Sequence, residues 1–175
     1  SDNVATNMMI DYLGLDKINA CIQRLGCKDT MLHNPIHFER YEKLGTTTVR
    51  DYASIFTRLA RGQLISQEAD RQMVEILKKQ HYNSMIVKDF PPVYMDQDNT
   101  DDILIQVASK SGSMDACRND GGIIYTPYGP YVLVMFNKEF HDAMYYPAHP
   151  ATVFGARVSR LLLDQFLALE GRFVL

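Results

Sequence analysis

The chain has 175 residues, of which 46% are apolar and 22% charged, and a formal net charge of −3 at pH 7. That length supports one sizeable domain or two small lobes, and the composition is that of an ordinary soluble globular protein. The negative balance argues against general nucleic-acid binding, and no apolar run approaches the roughly 18 residues that a membrane span needs.

No secretory leader is legible in these residues. Ser1-Asp2-Asn3 supplies N-cap side chains for a helix carrying Met8, Met9, Ile10, Tyr12 and Leu13, ended by Gly14. Met8-Met9 is expected in the core. Asp16 is placed to cap a second helix with Ile18, Cys21, Ile22 and Leu25 on one face, stopped by Gly26. Residues 27–45 show no clean period, contain Pro35, and read as a long loop of the kind that is usually functional or disordered. His33 and His37 have helical metal-ligand spacing, but Pro35 disfavours the helix and no third ligand is evident, so no metal site is expected.

Thr46-Thr47-Thr48-Val49-Arg50-Asp51 is a helix start in which Thr48 and Asp51 approximate a capping box. That helix carries Tyr52, Ile55, Phe56, Leu59 and Ala60 and ends at Gly62. Ser66 caps the next helix, which turns Met73, Ile76 and Leu77 inward and runs to about Gln80, so the two form an antiparallel hairpin. Residues 81–94, with Pro91-Pro92, are a connector. The acidic stretch 96–102 invites a calcium-loop reading, but its sixth-position glycine and closing glutamate are missing, which leaves a solvated loop.

The period then changes to that of strands, at 103–109, 121–126 and 131–136, with Pro127-Tyr128-Gly129-Pro130 as the turn between the last two. A final helix over about 150–169 is expected to face the sheet with Val153, Val158, Leu161, Leu162, Phe166 and Leu169, behind an aromatic cap of Tyr145, Tyr146 and His149. Helices first, then strands, then one helix is an α+β layout. It divides into a helical lobe over 1–95 and a sheet lobe over 96–175. The apolar run 131–136 should not be an open edge, so a further segment is expected to pair with it. The cysteine spacing fits no zinc pattern; Cys21, Cys27 and Cys117 are unpaired small hydrophobes, or Cys21 and Cys27 form a disulfide, and the sequence leaves both open.

Lys110-Ser111-Gly112-Ser113 closes the first strand run. A fixed positive charge, two hydroxyls and a glycine that admits close approach are what a strand edge needs to hold a carboxylate and polarise a neighbouring carbonyl. Taken with Ser1-Asp2-Asn3 at a helix start, this pair resembles the second and third signature motifs of the class A β-lactamase and penicillin-binding-protein superfamily. Leu25-Gly26-Cys27-Lys28-Asp29-Thr30-Met31-Leu32 resembles the approach to that family's Ω-loop, and Thr46-Thr47-Thr48-Val49-Arg50-Asp51 the helix cap after it. Cys117-Arg118-Asn119-Asp120-Gly121-Gly122-Ile123-Ile124-Tyr125 and Gly129-Pro130-Tyr131-Val132-Leu133 resemble its next two strands.

The resemblance implies a β-lactamase/transpeptidase-like α+β fold, incomplete without upstream strands, with the two lobes and the short Ω-type loop 27–45 forming part of one domain. It implies a serine hydrolase that needs no cofactor and no metal, acylated by a β-lactam or peptidoglycan-like substrate and then hydrolysed. Ser1 would relay a proton to the leaving nitrogen, and Asp2 would be structural. Asn3 would bind the substrate's side-chain amide. Lys110 would tune Ser1 and, with Ser111, hold the substrate carboxylate beside Gly112. The N–H of Ser113 would form half of an oxyanion hole, and Arg118 would be a second carboxylate anchor. The family's deacylating glutamate falls at Ile36 here; Glu39 and Glu42 are the nearby candidates for a general base. No Ser-x-x-Lys occurs in the 175 residues, so the nucleophile is expected upstream, the residues given are expected to be inactive alone, and the missing segment or a neighbouring chain is expected to complete the sheet. A penicillin-binding-protein-like peptidase or esterase, and a non-catalytic binding domain that keeps the cleft, are the competing functions. The family implies a periplasmic or extracellular location.

Overall fold

A computed structural model describes residues 2–37, 44–95 and 104–172. Glu39, Glu42, Ser1 and the acidic stretch 96–102 lie outside the described residues. The chain forms two compact units, Ser1–Ile55 and Phe56–Leu175.

In the first unit, α1 (Asn3–Leu13) begins on Asp2, whose Oδ1 accepts the Ala5 N–H at 2.8 Å. It ends on Gly14, where φ is +84°, a left-handed value that a side chain would resist. Its inward stripe is Thr6, Asn7 and Ile10, one turn apart, which leaves Met8 and Met9 66% and 53% exposed rather than in the core. Helix α2 (Leu15–Arg24) has Gly14 as its N-cap and no side-chain cap; Asp16 lies inside its first turn instead, where its charge suits the helix dipole. The segment read as a plain loop holds a small ribbon: β1 (Met31–Leu32) pairs antiparallel with β2 (Gly45–Thr46). Two-residue strands carry no legible alternation, which is why the sequence period missed them. Helix α3 (Val49–Ala60), whose residues up to Ile55 belong to this unit and the rest to the second, follows, with Thr48 Oγ1 accepting the Asp51 N–H at 3.2 Å.

In the second unit, α4 (Gln67–Lys78) starts on Ser66, which accepts from Ala69 N–H. Its inward residues are Asp70 and Val74 with Met73 and Leu77 beside them, whereas Ile76 is 70% exposed. Asp70 is buried because it accepts the Leu64 and Ile65 N–H groups at 2.7 and 3.0 Å, closing the turn before its own helix. The connector after α4 is core rather than surface: Met85, Ile86, Val87 and Phe90 are all buried, just ahead of the short helix α5 (Pro92–Met95).

Three antiparallel strands, β3 (Gln106–Met114), β4 (Cys117–Thr126) and β5 (Gly129–Lys138), lie in the order β3-β4-β5. Each is longer than its apolar run. Lys110 to Ser113 do not leave the sheet but continue β3 opposite Gly121, Asp120, Asn119 and Arg118. Ladder pairing overrides the turn preference of Ser and Gly, and the strands approach so closely that a Cβ on Gly122 would sit 2.6 Å from the Ala108 carbonyl oxygen. The outer edge of β5 has no strand partner among the described residues.

Helix α6 (Pro150–Ala168) covers one face of this sheet through Thr152, Gly155, Ala156, Ser159, Leu163 and Phe166. Leu161 and Leu162, expected inward, are exposed. Small residues win the inner face because the connector lies against it: a Cβ on Gly155 would meet the Met85 side chain at 2.5 Å. The core joins Ile86, Val87, Phe90, Ile105, Val107, Ile124 and Leu163. Each such side chain contributes about 1.5–3 kcal/mol by leaving water. The mix of helices with antiparallel sheet is the α+β layout expected from the sequence.

Candidate active site

In the first unit three polar side chains, Asn7, Asn19 and Asp51, converge on residues 29–36. Asn7, on the inward stripe of α1, holds Ile36 from both sides: its amide nitrogen donates to the Ile36 carbonyl at 2.8 Å, and its oxygen accepts the Ile36 N–H at 2.7 Å. Asn19 on α2 grips Leu32 in the same bidentate way, with both bonds 2.8 Å long. Each amide acts as a piece of strand, satisfying a donor and an acceptor that no ladder reaches. The backbone of residue 36 is therefore held on both sides, with a half-buried isoleucine side chain on it. Asp51, on the first turn of α3, accepts the Asp29 N–H at 2.9 Å and the Thr30 hydroxyl at 2.8 Å. Asn3 is the first residue of α1 and is exposed.

In the second unit, Lys110, Ser111, Gly112 and Ser113 lie on β3, an outer strand of the three-stranded sheet. Lys110 is half-buried and donates to the Ser111 carbonyl. Burial pushes its pKa below the usual lysine value, and the charge of Asp120 opposes that shift. Gly112 and Ser113 are exposed, and no atom lies within 4 Å of where a Gly112 Cβ would be, so the backbone there is open to a ligand.

Antiparallel register puts Asp120 opposite Ser111 and on the same face. Asp120 is only 2% exposed; its carboxylate accepts the Ile86 N–H at 3.1 Å and the Gly121 N–H at 3.0 Å. Burial raises its pKa to about 6, against the pull of those two N–H groups and of Lys110.

Arg118, expected as a carboxylate anchor, is 3% exposed, and its guanidinium serves the chain's own carbonyls. One nitrogen donates to Met114 and Cys117 and the other to Ala143 and Met144 at 3.3 and 3.1 Å. The cation lies over the rings of Tyr145 and Phe140, at 4.1 and 5.2 Å from their centroids. It ties the hairpin turn between β3 and β4 to the stretch leading into α6. That stretch ends on His149, buried between Phe140 and Tyr146. The three cysteines are free, and among the described residues no group of three or more His, Cys, Asp or Glu could hold a metal ion.

The polar residues missed by motif matching shared one legible signal. Asn7 lies a turn before Ile10, Asp51 four before Ile55, and Asp120 two before Gly122 and four before Ile124. Each is a polar residue standing on an otherwise inward stripe.

The fold is that of the class A β-lactamases and penicillin-binding proteins. A β-lactamase from Sphaerobacter thermophilus DSM 20745 is 30% identical, with a TM-score of 0.80 over 96% of this chain and 59% of its own. A mutant of PBP-A, solved as an acyl-enzyme complex with penicillin G, is 25% identical, with a TM-score of 0.76 over 96% of this chain and 58% of its own. A class A β-lactamase from Bacteroides cellulosilyticus DSM 14838, 19% identical with a TM-score of 0.76 over 95% of this chain and 60% of its own, shares the fold. The chain thus spans under two thirds of the length of these relatives. No curated protein sequence matches it. The model of the β-lactamase enzyme family matches residues 1–166, and the chain belongs to that family.

Proposed function

We propose that these residues are part of a β-lactamase-type serine hydrolase that is acylated by a β-lactam or peptidoglycan-like substrate and then releases it to water. The observation that carries this reading is the open backbone at Gly112 next to the half-buried Lys110 on an outer strand, in a chain of this family. In this reading Lys110 and Ser111 hold the substrate carboxylate, the Ser113 N–H polarises the acyl carbonyl, and Asn3 binds the side-chain amide. Ser1 passes a proton to the leaving nitrogen, and Asp2 secures the start of α1. The lobes over 1–95 and 96–175 belong to one domain. The attacking serine stands in a Ser-x-x-Lys beyond these residues, and a further strand, from an upstream segment or a neighbouring chain, completes the open edge of β5. Glu39 or Glu42 is the general base for deacylation, and the protein works in the periplasm or outside the cell.

Ile36 favours a second reading, a penicillin-binding-protein-like peptidase or esterase with a long-lived acyl-enzyme, because an isoleucine cannot activate water. Nitrocefin turnover by the full-length protein, together with intact mass after penicillin G, separates the cases. Fast turnover supports the hydrolase, and a persistent adduct with little turnover supports the second reading. Neither turnover nor adduct refutes both and leaves a binding domain without chemistry.

A further inference from the structure

We propose that Asp51 is a positioning residue that joins the two limbs of the 27–45 segment and thereby sets where Ile36 is presented. The inference rests on the reading of this protein as a β-lactamase-type acyl-transfer enzyme, in which residue 36 faces the acyl group.

Asp51 is 6% exposed and sits in the first turn of α3, where the helix dipole favours a carboxylate. Its Oδ2 takes two donors from the outgoing limb, the Asp29 N–H and the Thr30 hydroxyl. A hydroxyl has one proton. Since Thr30 gives its proton to Asp51, the 2.8 Å contact between Thr30 and Thr47 must be a donation from Thr47. A one-way chain therefore runs Thr47 to Thr30 to Asp51, and it starts on the returning limb. Thr48, also on that limb, accepts the N–H of Asp51 itself.

The pairing of β1 with β2 spans two residues on each side, too few to hold register unaided. Asp51 fixes residues 29 and 30 immediately before β1, and Asn19 fixes Leu32 within it. Ile36 follows four residues later in the grip of Asn7. A slip of one residue in β1 would carry a different backbone into that grip.

The test uses the full-length protein with D51A and D51N, because an Asn oxygen in place of Oδ2 still accepts both donors. In D51A the amides of Asp29, Leu32 and Ile36 should exchange with deuterium about tenfold faster or more, and in D51N within about threefold of wild type. The penicillin G acyl-enzyme lifetime should change about threefold or more in D51A, with the acylation rate within about threefold of wild type and D51N restoring the wild-type lifetime. Unchanged exchange in D51A overturns the proposal, and so does a parallel fall in acylation and deacylation. If D51A does not fold, T30V removes the hydroxyl link but keeps the Asp29 bond, and it should shift exchange and lifetime in the same direction by less; no shift overturns the proposal. Absence of any adduct on the wild-type protein refutes the functional reading, and exchange then decides the clamp by itself.

Discussion

The Asp120 carboxylate accepts the Ile86 N–H at 3.1 Å, and the Ser159 hydroxyl donates to the Ile86 carbonyl at 2.7 Å, so the backbone of one buried residue is held by β4 on one side and α6 on the other. The bond from Asp120 places a carboxylate at 2% exposure, with its pKa raised to about 6. The folded protein thus holds that proton more tightly than the unfolded chain, whose carboxyl titrates near 3.9. Between about pH 4 and pH 6 the unfolded state binds fewer protons than the native state, so the contribution of Asp120 falls as pH rises and levels off above the folded value. The size is on the order of 3 kcal/mol. Denaturant midpoints measured from pH 4 to pH 7 should fall more steeply with pH in the wild type than in D120N. Parallel curves would show that Asp120 does not titrate in this window.

S159A leaves the Ile86 carbonyl buried without its donor and should cost about 1–3 kcal/mol. Asp120 and Ser159 act on the backbone of the same residue, so their losses should not add. A double-mutant cycle with D120N should give a coupling of about 0.5 kcal/mol or more. Strict additivity would mean that the connector is not held as a unit.

The geometry of His149 fixes its tautomer. Nε2 lies 2.9 Å from the Asp142 carbonyl and must donate, so Nδ1 is the acceptor for the Ala151 N–H at 3.1 Å and caps α6. H149A should lower stability by about 1–2 kcal/mol, and H149N, which keeps a capping oxygen, should recover part of it. Equal losses in the two variants would assign the role of His149 to its ring packing against Phe140 and Tyr146 instead.

Helix starts and the order of elements were legible because they depend on local chemistry. Asp2 and Ser66 cap the helices that their side chains announce, and Gly14 ends α1. Strand lengths were not, because Lys110 to Ser113 and Arg118 to Asp120 look like turns until the partner strand is known. The connector was misjudged for a related reason. Met85 to Phe90 has no period, and its burial follows from the small inner face of α6, with Gly155, Ala156 and Ser159, which apolarity alone assigns to Leu161 and Leu162. At the candidate site, the proposed residues Lys110 to Ser113 were chosen as a motif. The supports Asn7, Asn19 and Asp51 act on backbone groups up to 29 residues away; their place on inward stripes is legible, but the partners they hold are not.

The hold of Asn7 on Ile36 supplies the most direct test of the acyl-transfer reading. The backbone at residue 36 is fixed by bonds of 2.7 and 2.8 Å that do not involve its side chain, so the side chain can be exchanged without loosening the frame. In the second reading residue 36 stands where the deacylating base is missing, so a carboxylate placed there would activate the water. I36E should therefore shorten the penicillin G acyl-enzyme lifetime by at least about tenfold, within the range that one positioned general base supplies. I36Q, of similar shape but without basicity, should leave the lifetime near that of the wild type. The gain in I36E should also require Asn7: N7L, which removes both bonds to the Ile36 backbone, should abolish most of it. Time-resolved intact mass after a penicillin G pulse reads all three. Equal lifetimes for I36E and I36Q would refute the placement of residue 36 beside the acyl group.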